Sequence, residues 1–374
     1  MRRFLLPLFV LLASFQVTFA LTSVATDPVG FTTTSELSNS DTLVSLPFTR
    51  SSAFTGAISS ISGNVITVSG TPGWTTNQFV YAQGTQPNHY YMLIGPSSTS
   101  DPKEGHTYAV TANDATTLTV NTTSDNLSGI PTNTQFLIIP NWTLNTVYPS
   151  TDQNVSFTPT TATRTFKTEI LIPNYSAAGV NQAFSTVYFF SNNVNGTTSN
   201  IGWRVVGDNT TNHGDDPLLP DGYFVVRNLN SAPTLPLRPV GAVLTKKFAV
   251  PLMTQTSESQ DNSVAMIRPV NVTLNNTGLN PTDGSFVATT VTRTFKDELL
   301  LFNNATTALN KSPSAVYFYS NNVNGTTNNV GWRVVGDNTT DHGNDLIPAG
   351  SAIIVRKAST ASGATVFWTN APTY

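Results

Sequence analysis

The chain contains itself twice. Residues 187–216, VYFFSNNVNGTTSNIGWRVVGDNTTNHGDD, return at 316–345 as VYFYSNNVNGTTNNVGWRVVGDNTTDHGND, with five differences. The likeness continues upstream, where TRTFKTEILI from Thr163 matches TRTFKDELLL from Thr292. It continues downstream to FVVR ending at Arg227 and IIVR ending at Arg356. A repeat of this kind makes one supersecondary unit fold twice, so the architecture must hold two like bodies. Weaker anchors extend it. NWTLN from Asn141 resembles NVTLN from Asn271, Pro28-Val29-Gly30 resembles Pro239-Val240-Gly241, and Asp41, Val44 and Arg50 fall against Asp261, Val264 and Arg268. On this alignment the first copy is interrupted by an extra block from Ser51 to Pro140.

Both parts read as strands. The extra block offers GAISSISG and NVITVSG around a Gly63-Asn64 turn, then QFVYA, YYMLIG, HTYAVT, TTLTVNT and TQFLIIP. Each is short, alternates apolar positions and is bounded by turn residues, which predicts seven strands in a small barrel or compact sandwich. The repeats supply FKTEILI, VYFF, IGWRVVG, YFVVR and their counterparts, with Asn195-Gly196 and Asn324-Gly325 in the connecting loops, where positive φ is easily reached. The expected fold class is all-β: tandem β-sandwich-like repeats plus a small inserted β-barrel or compact sandwich. The divisions are a signal peptide over 1–20, N-terminal strands of the first repeat over 21–50, the inserted domain over 51–140, and the repeats over 141–237 and 238–374.

The start, MRRFLLPLFVLLASFQVTFA, has Arg2 and Arg3, an apolar stretch too short to span a bilayer, and small residues at Thr18 and Ala20, the pattern of a secretory signal peptide. Ala25 is a second place for the cut. The expected location is outside the cytoplasm, with no membrane span after signal removal. An exported chain without Cys must hold together by burial alone. Only 10% of its residues are charged and the net charge is -3, which leaves no electrostatic footprint for nucleic acid. Hydrophobic content of 39% argues for packed cores over disorder.

Three constellations carry candidate chemistry. The loops DNTTNHGDD and DNTTDHGND gather Asp208, Asp215 and Asp216, then Asp337, Asp341 and Asp345, with His213 and His342. Calcium wants several oxygens from one loop; the competing reading is a turn whose Asp and Asn side chains bond their own backbone. The motifs RTFKTE and RTFKDE place Arg164, Lys167 and Glu169 against Arg293, Lys296 and Glu298. One carboxyl from each copy could serve glycoside hydrolysis, or the charges could form cross-strand pairs. Trp203 and Trp332, with Tyr188 and Tyr317, are either sugar platforms or core. No nucleophile elbow, catalytic Cys, metal-spaced His or phosphate loop is present in the sequence. No catalytic, cofactor or metal residue is therefore assigned, and calcium is the only cofactor considered.

The segments ATDPVGF, DTLVSLPF, IIPNWTLN, WRVVG, IIVRKA and FWTNAPTY resemble an uncharacterised family of exported, Cys-free, β-rich proteins that recurs in verrucomicrobial bacteria. The resemblance implies export and a β-rich build, and transfers no functional residue. The expected function is a non-enzymatic structural or interaction protein of the cell exterior with a polysaccharide or cell-envelope partner. A carbohydrate-binding protein using the duplicated Trp residues is one alternative. Another is an outer-membrane β-barrel, suggested by the aromatic terminal Tyr374 but opposed by strands shorter than membrane-barrel strands.

Overall fold

A computed structural model describes residues 27–196, 200–325 and 328–374; the signal peptide read over 1–20, with its second cut at Ala25, lies outside the described residues. The protein is mostly β, with two like sheets and a closed barrel. The first sheet has five strands in the order Ile201–Val205, Phe184–Asn192, Thr168–Pro173, Phe224–Asn228, Ser40–Val44. The second orders Gln260–Ala265, Ala352–Lys357, Glu298–Leu301, Ala315–Asn321, Val330–Val334. All neighbours are antiparallel. The strand Ser40–Val44 thus completes the first sheet from the far side of the barrel, as Gln260–Ala265 completes the second.

Alternation divides each sheet into two faces. One face of the first carries Val44, Phe224, Val226, Ile170, Phe190 and Trp203, which bury against Leu144, Tyr148 and Phe157. The other face carries Leu43, Val225, Leu171 and Val187, which pack on Phe302, Ala352 and Ile354 of the second repeat. The same face bears a charged row in register, Asp41 beside Arg227 beside Glu169, repeated as Asp261, Arg356 and Glu298.

The two repeats clasp each other reciprocally. Asp41 receives both Nε (2.7 Å) and Nη2 (2.8 Å) of Arg227, and its Oδ2 accepts the backbone N–H of Asn310 in the second repeat at 2.7 Å. Its own N–H donates to the Ala308 carbonyl at 2.8 Å. In mirror fashion, Asp261 receives Arg356 at 2.7 and 3.1 Å and the N–H of Asn181 at 2.8 Å, and donates its N–H to Gly179 at 3.0 Å. Asn181 and Asn310 both adopt left-handed backbone, φ 53° and 50°, a conformation Asn tolerates well. The PVG segments pair directly, Gly30 opposite Gly241 in antiparallel strands Val29–Phe31 and Val240–Ala242. This arrangement is that of an isologous dimer within one chain.

The barrel closes Phe54–Ser62, Val65–Val68, Thr117–Val120, Thr107–Asn113, Tyr90–Ile94 and Gln135–Pro140 in that spatial order. Gly63, at φ 60°, takes the first central position of its opening hairpin, where Gly suits a type II′ turn. It has six strands where seven were expected. QFVYA is not a strand: Phe79 turns inward as a plug, 2% exposed, edge-on to Trp74 at 5.1 Å, with its N–H bound by the Asn113 side chain at 3.0 Å. Ile58, Ile66, Met92, Leu118, Phe136 and Ile138 fill the barrel's interior. That is the inverse of an outer-membrane barrel, whose interior is polar and whose outer band is apolar. Its outer residues Tyr91, Leu93, Leu137 and Ile139 instead pack on Phe248, Val250 and Leu252 of the second repeat. Among the described residues no helix is long and apolar enough to cross a membrane.

Candidate functional site

The aromatic platform reading fails on burial. Trp203 and Trp332 are 0% and 1% exposed, and Tyr188 and Tyr317 are buried beside them. The Trp203 indole N–H donates to the Tyr148 carbonyl at 3.3 Å, and its ring meets Phe157 and Phe190. A sugar cannot reach these rings while the repeats remain folded.

The Asp-rich loops bond their carboxylates to their own turns and to neighbouring side chains. Asp208 Oδ1 accepts Thr210 N–H, Thr210 O–H and Thr211 N–H at 3.0, 2.8 and 3.2 Å, and Asp337 does the same with Thr339 and Thr340. The side chains of Thr211 and Thr340, together with these bonds, hold both carboxyls well below the usual range. Asp216 Oδ2 contacts His213 Nδ1 at 2.9 Å and receives Tyr188 O–H at 2.8 Å, while Asp345 contacts His342 and receives Tyr317 O–H at 2.8 and 3.1 Å. Asn145 Nδ2 donates to Asp215, and Arg333 donates to Asp341. Gly214 and Gly343 allow a close approach here: a Cβ would lie 2.2 and 2.4 Å from the carboxamides of Asn145 and Asn275, which would have to move. Among the described residues no three His, Asp or Glu side chains converge as a metal site. The loops are self-bonded turns.

The charges of RTFKTE and RTFKDE disperse rather than assemble. Glu169 lies beside Arg227 and Glu298 beside Arg356, 3.5 Å away. Burial pushes both carboxyls up, and the arginines only partly offset it. Lys167 Nζ binds the Asn230 carbonyl. Each glutamate therefore completes its own repeat's cross-strand row, and the paired-carboxylate reading is replaced by that structural role.

Arg164 and Arg293 go elsewhere, into a groove that occurs once in each repeat. Thr160 runs parallel to Ser191, its N–H bound to the Phe190 carbonyl at 2.8 Å, and anchors the loop of residues 160–166 against the strand Phe184–Asn192. Thr289 does likewise beside Ser320. The first groove, about 540 Å³, is lined by Arg164, Phe166, Phe189, Ser191, Asn200 and Asn209 among others. The second, about 140 Å³, is lined by Arg293, Phe295, Phe318, Ser320, Asn329 and Asn338, with Asn324 bonded across to Thr292. The Phe pairs sit 4.9 and 4.7 Å apart, centroid to centroid. Sequence reading singled out both arginines but missed the groove, although the lining residues Arg164, Phe166, Phe189, Ser191, Asn200 and Asn209 are identical at the matching places in the second copy.

A separate cleft of about 230 Å³ lies where the barrel meets both repeats, lined by Asp125, Tyr175, Asp221, Met253, Ser263 and Phe367 among others. Asp221 is only half-buried by its own exposure, yet it lies deep enough in the cleft that burial pushes its carboxyl up. Asp125 behaves oppositely. Burial alone would raise it, but bonds from Lys103, Tyr108 and His106 outweigh that and hold it low. The nearby Tyr91 hydroxyl is buried without a partner among the described residues. Nothing in the sequence marked this site, because Gly350 stands where the second repeat would match Asp221.

No family model, curated protein or solved structure matches the chain. Function therefore has to be argued from these surfaces alone.

Proposed function

We propose that the protein is an exported, non-enzymatic structural or interaction component of the cell exterior, akin to the verrucomicrobial exported proteins its segments resemble. The observation that carries this reading is the duplicated groove. A catalytic centre needs one constellation, whereas a contact surface gains from being presented twice, since engaging the second site becomes intramolecular. The low charge and burial-only stability of this Cys-free, multidomain β protein fit a body built to persist outside the cell. Cell fractionation tests the proposal. The chain should be recovered outside the cytoplasm, shortened by roughly twenty residues as signal-peptide cleavage would leave it, and uncleaved cytoplasmic protein would refute export.

The cleft favours a second reading, as a hydrolytic or ligand-binding site. Two carboxyls displaced in opposite directions, Asp221 up and Asp125 down, are the pattern of an acid–base pair. Turnover of any glycan substrate that disappears in Asp221→Asn would establish it against the non-enzymatic reading. The carbohydrate-binding alternative, detached from Trp203 and Trp332, has to find other residues.

A further inference from the structure

The two grooves differ from the rest of the surface in how their arginines are held. Thr165 N–H bonds the Ala162 carbonyl at 3.2 Å and Thr294 N–H bonds Val291 at 3.3 Å, which makes Arg164 and Arg293 the third residue of equivalent tight turns. Both have φ 58°. That position with positive φ belongs to Gly or Asn, and a long side chain there is strained. Every other non-glycine residue with positive φ among those described is Asn, apart from Ser231. An arginine at such a turn, kept in both copies, is an outlier that points to use of the side chain.

That side chain is free. Both arginines are exposed, and neither guanidinium forms an ion pair or hydrogen bond with a described residue. The other arginines near the face are committed: Arg227 to Asp41, Arg356 to Asp261, and Arg204 to the Asn200 Oδ1 at 3.1 Å. Among the described residues no carboxylate lines either groove, although acids outnumber bases, 21 to 18, over the chain. Each groove also has in its lining the half-buried ring of Phe166 or Phe295 and the exposed carboxamide of Asn209 or Asn338. The amide nitrogen of Asn200 or Asn329 is left as a donor because its oxygen already accepts from Arg204 or Arg333. The set is one planar cation suited to a carboxylate or sulfate, an aromatic flank for C–H faces, and neutral donors for hydroxyls. It lacks the basic density that a nucleic acid demands.

We infer that the two grooves are corresponding binding sites, the first the roomier, for an acidic polysaccharide, one uronate or sulfated sugar seated per groove with its anion on Arg164 or Arg293. This deepens the interaction reading above and names its partner class.

Titration calorimetry of the folded protein tests it with three probes of matched short length: an oligogalacturonate, a sulfated oligosaccharide and a neutral cello-oligosaccharide. The expected result is two sites per chain for at least one acidic probe and no heat from the neutral one. Arg164→Asn should abolish one site, and Arg164→Asn with Arg293→Asn should weaken binding at least tenfold. The melting temperature of the double variant should be equal or higher, because Asn relieves the turn. That combination separates a binding role from a structural one, which would lower stability instead. Binding of both acidic probes unchanged in the double variant, absence of binding by either, or equal binding of polyglutamate would each overturn the assignment. A loss of the groove assignment leaves export, read by fractionation, untouched. Release of new reducing ends during the titration would count against the non-enzymatic reading while leaving the grooves as sites.

Discussion

Glu36 offers the sharpest test of the packing described above, because its carboxyl is buried without an adequate partner. It is 0% exposed, on the strand Thr34–Glu36. Its Oε1 accepts the Tyr148 hydroxyl at 2.5 Å, while Oε2 has no partner among the described residues. Burial pushes its pKa from 4.5 up to about 8, against a smaller lowering from Tyr148. Between those values the folded state keeps a proton that the unfolded chain has released, so stability must fall as pH rises. The slope is about 1.4 kcal/mol per pH unit. Full stability holds below the unfolded value, and a total of roughly 5 kcal/mol has been lost once pH passes the folded one. Glu36→Gln removes the titration and keeps an acceptor for Tyr148, but adds an unpaired amide donor costing about 1–3 kcal/mol. The variant should therefore be the less stable protein near pH 5 and the more stable one near pH 8.5. Urea unfolding followed by fluorescence reads the first repeat directly, since Trp203 lies 5.9 Å from Tyr148, centroid to centroid. Taking the difference between the two proteins cancels Glu169, Glu298 and Asp221, whose raised carboxyls bias the pH dependence in the same direction. A difference that stays flat from pH 5 to 8.5 would show that Glu36 is ionised and solvated in the folded protein, and the account of this core would be wrong.

In the second repeat Lys357 and Asp297 form a buried ion pair, 1% and 0% exposed, where the first repeat has Asn228 and Thr168 joined at 2.7 Å. Lys357→Met alone should cost about 3–5 kcal/mol by stranding Asp297, whereas Lys357→Asn with Asp297→Thr should stay within about 1 kcal/mol of the parent or exceed it, as measured by urea unfolding. Gly241→Ala places a Cβ 2.6 Å from the Thr49 carbonyl at the point where the two PVG strands meet. It should lower stability by about 1–3 kcal/mol through backbone displacement, and an unchanged melting curve would contradict the close approach. Because Oδ1 of Asp208 and of Asp337 already accepts three bonds within its turn and no three acidic or His side chains converge there among the described residues, millimolar calcium should leave the melting temperature unmoved; a reproducible upward shift would restore the metal reading.

What could be read from the residues was what the duplication repeats or alternation encodes. Asp41 and Asp261 could be set against each other from the sequence alone, between the PVG and N-x-TLN anchors and with Val44 and Val264 three residues on; each sits opposite the arginine on which its copy's FVVR or IIVR strand ends. Alternation misled at QFVYA, where Phe79 is apolar because it seals a barrel end; sequence pattern records that a side chain is buried but not which way its backbone runs. It was silent on Trp203 and Trp332 for a related reason, since either face of a two-sided sheet can be buried. The grooves needed a third kind of information. They join residues 160–166, 189–194 and 200–209, and the sign of φ at Arg164 depends on a turn that no periodicity announces. One signal was nevertheless present. The buried pair diverged from Thr168 and Asn228 to Asp297 and Lys357, whereas exposed Arg164, Thr165 and Asn209 kept their identities in the other copy. Packing tolerates such exchanges when both partners change together, so it gives no reason for an exposed, strained arginine to stay the same. A requirement for the guanidinium itself does, and that is the requirement the titration with acidic oligosaccharides measures.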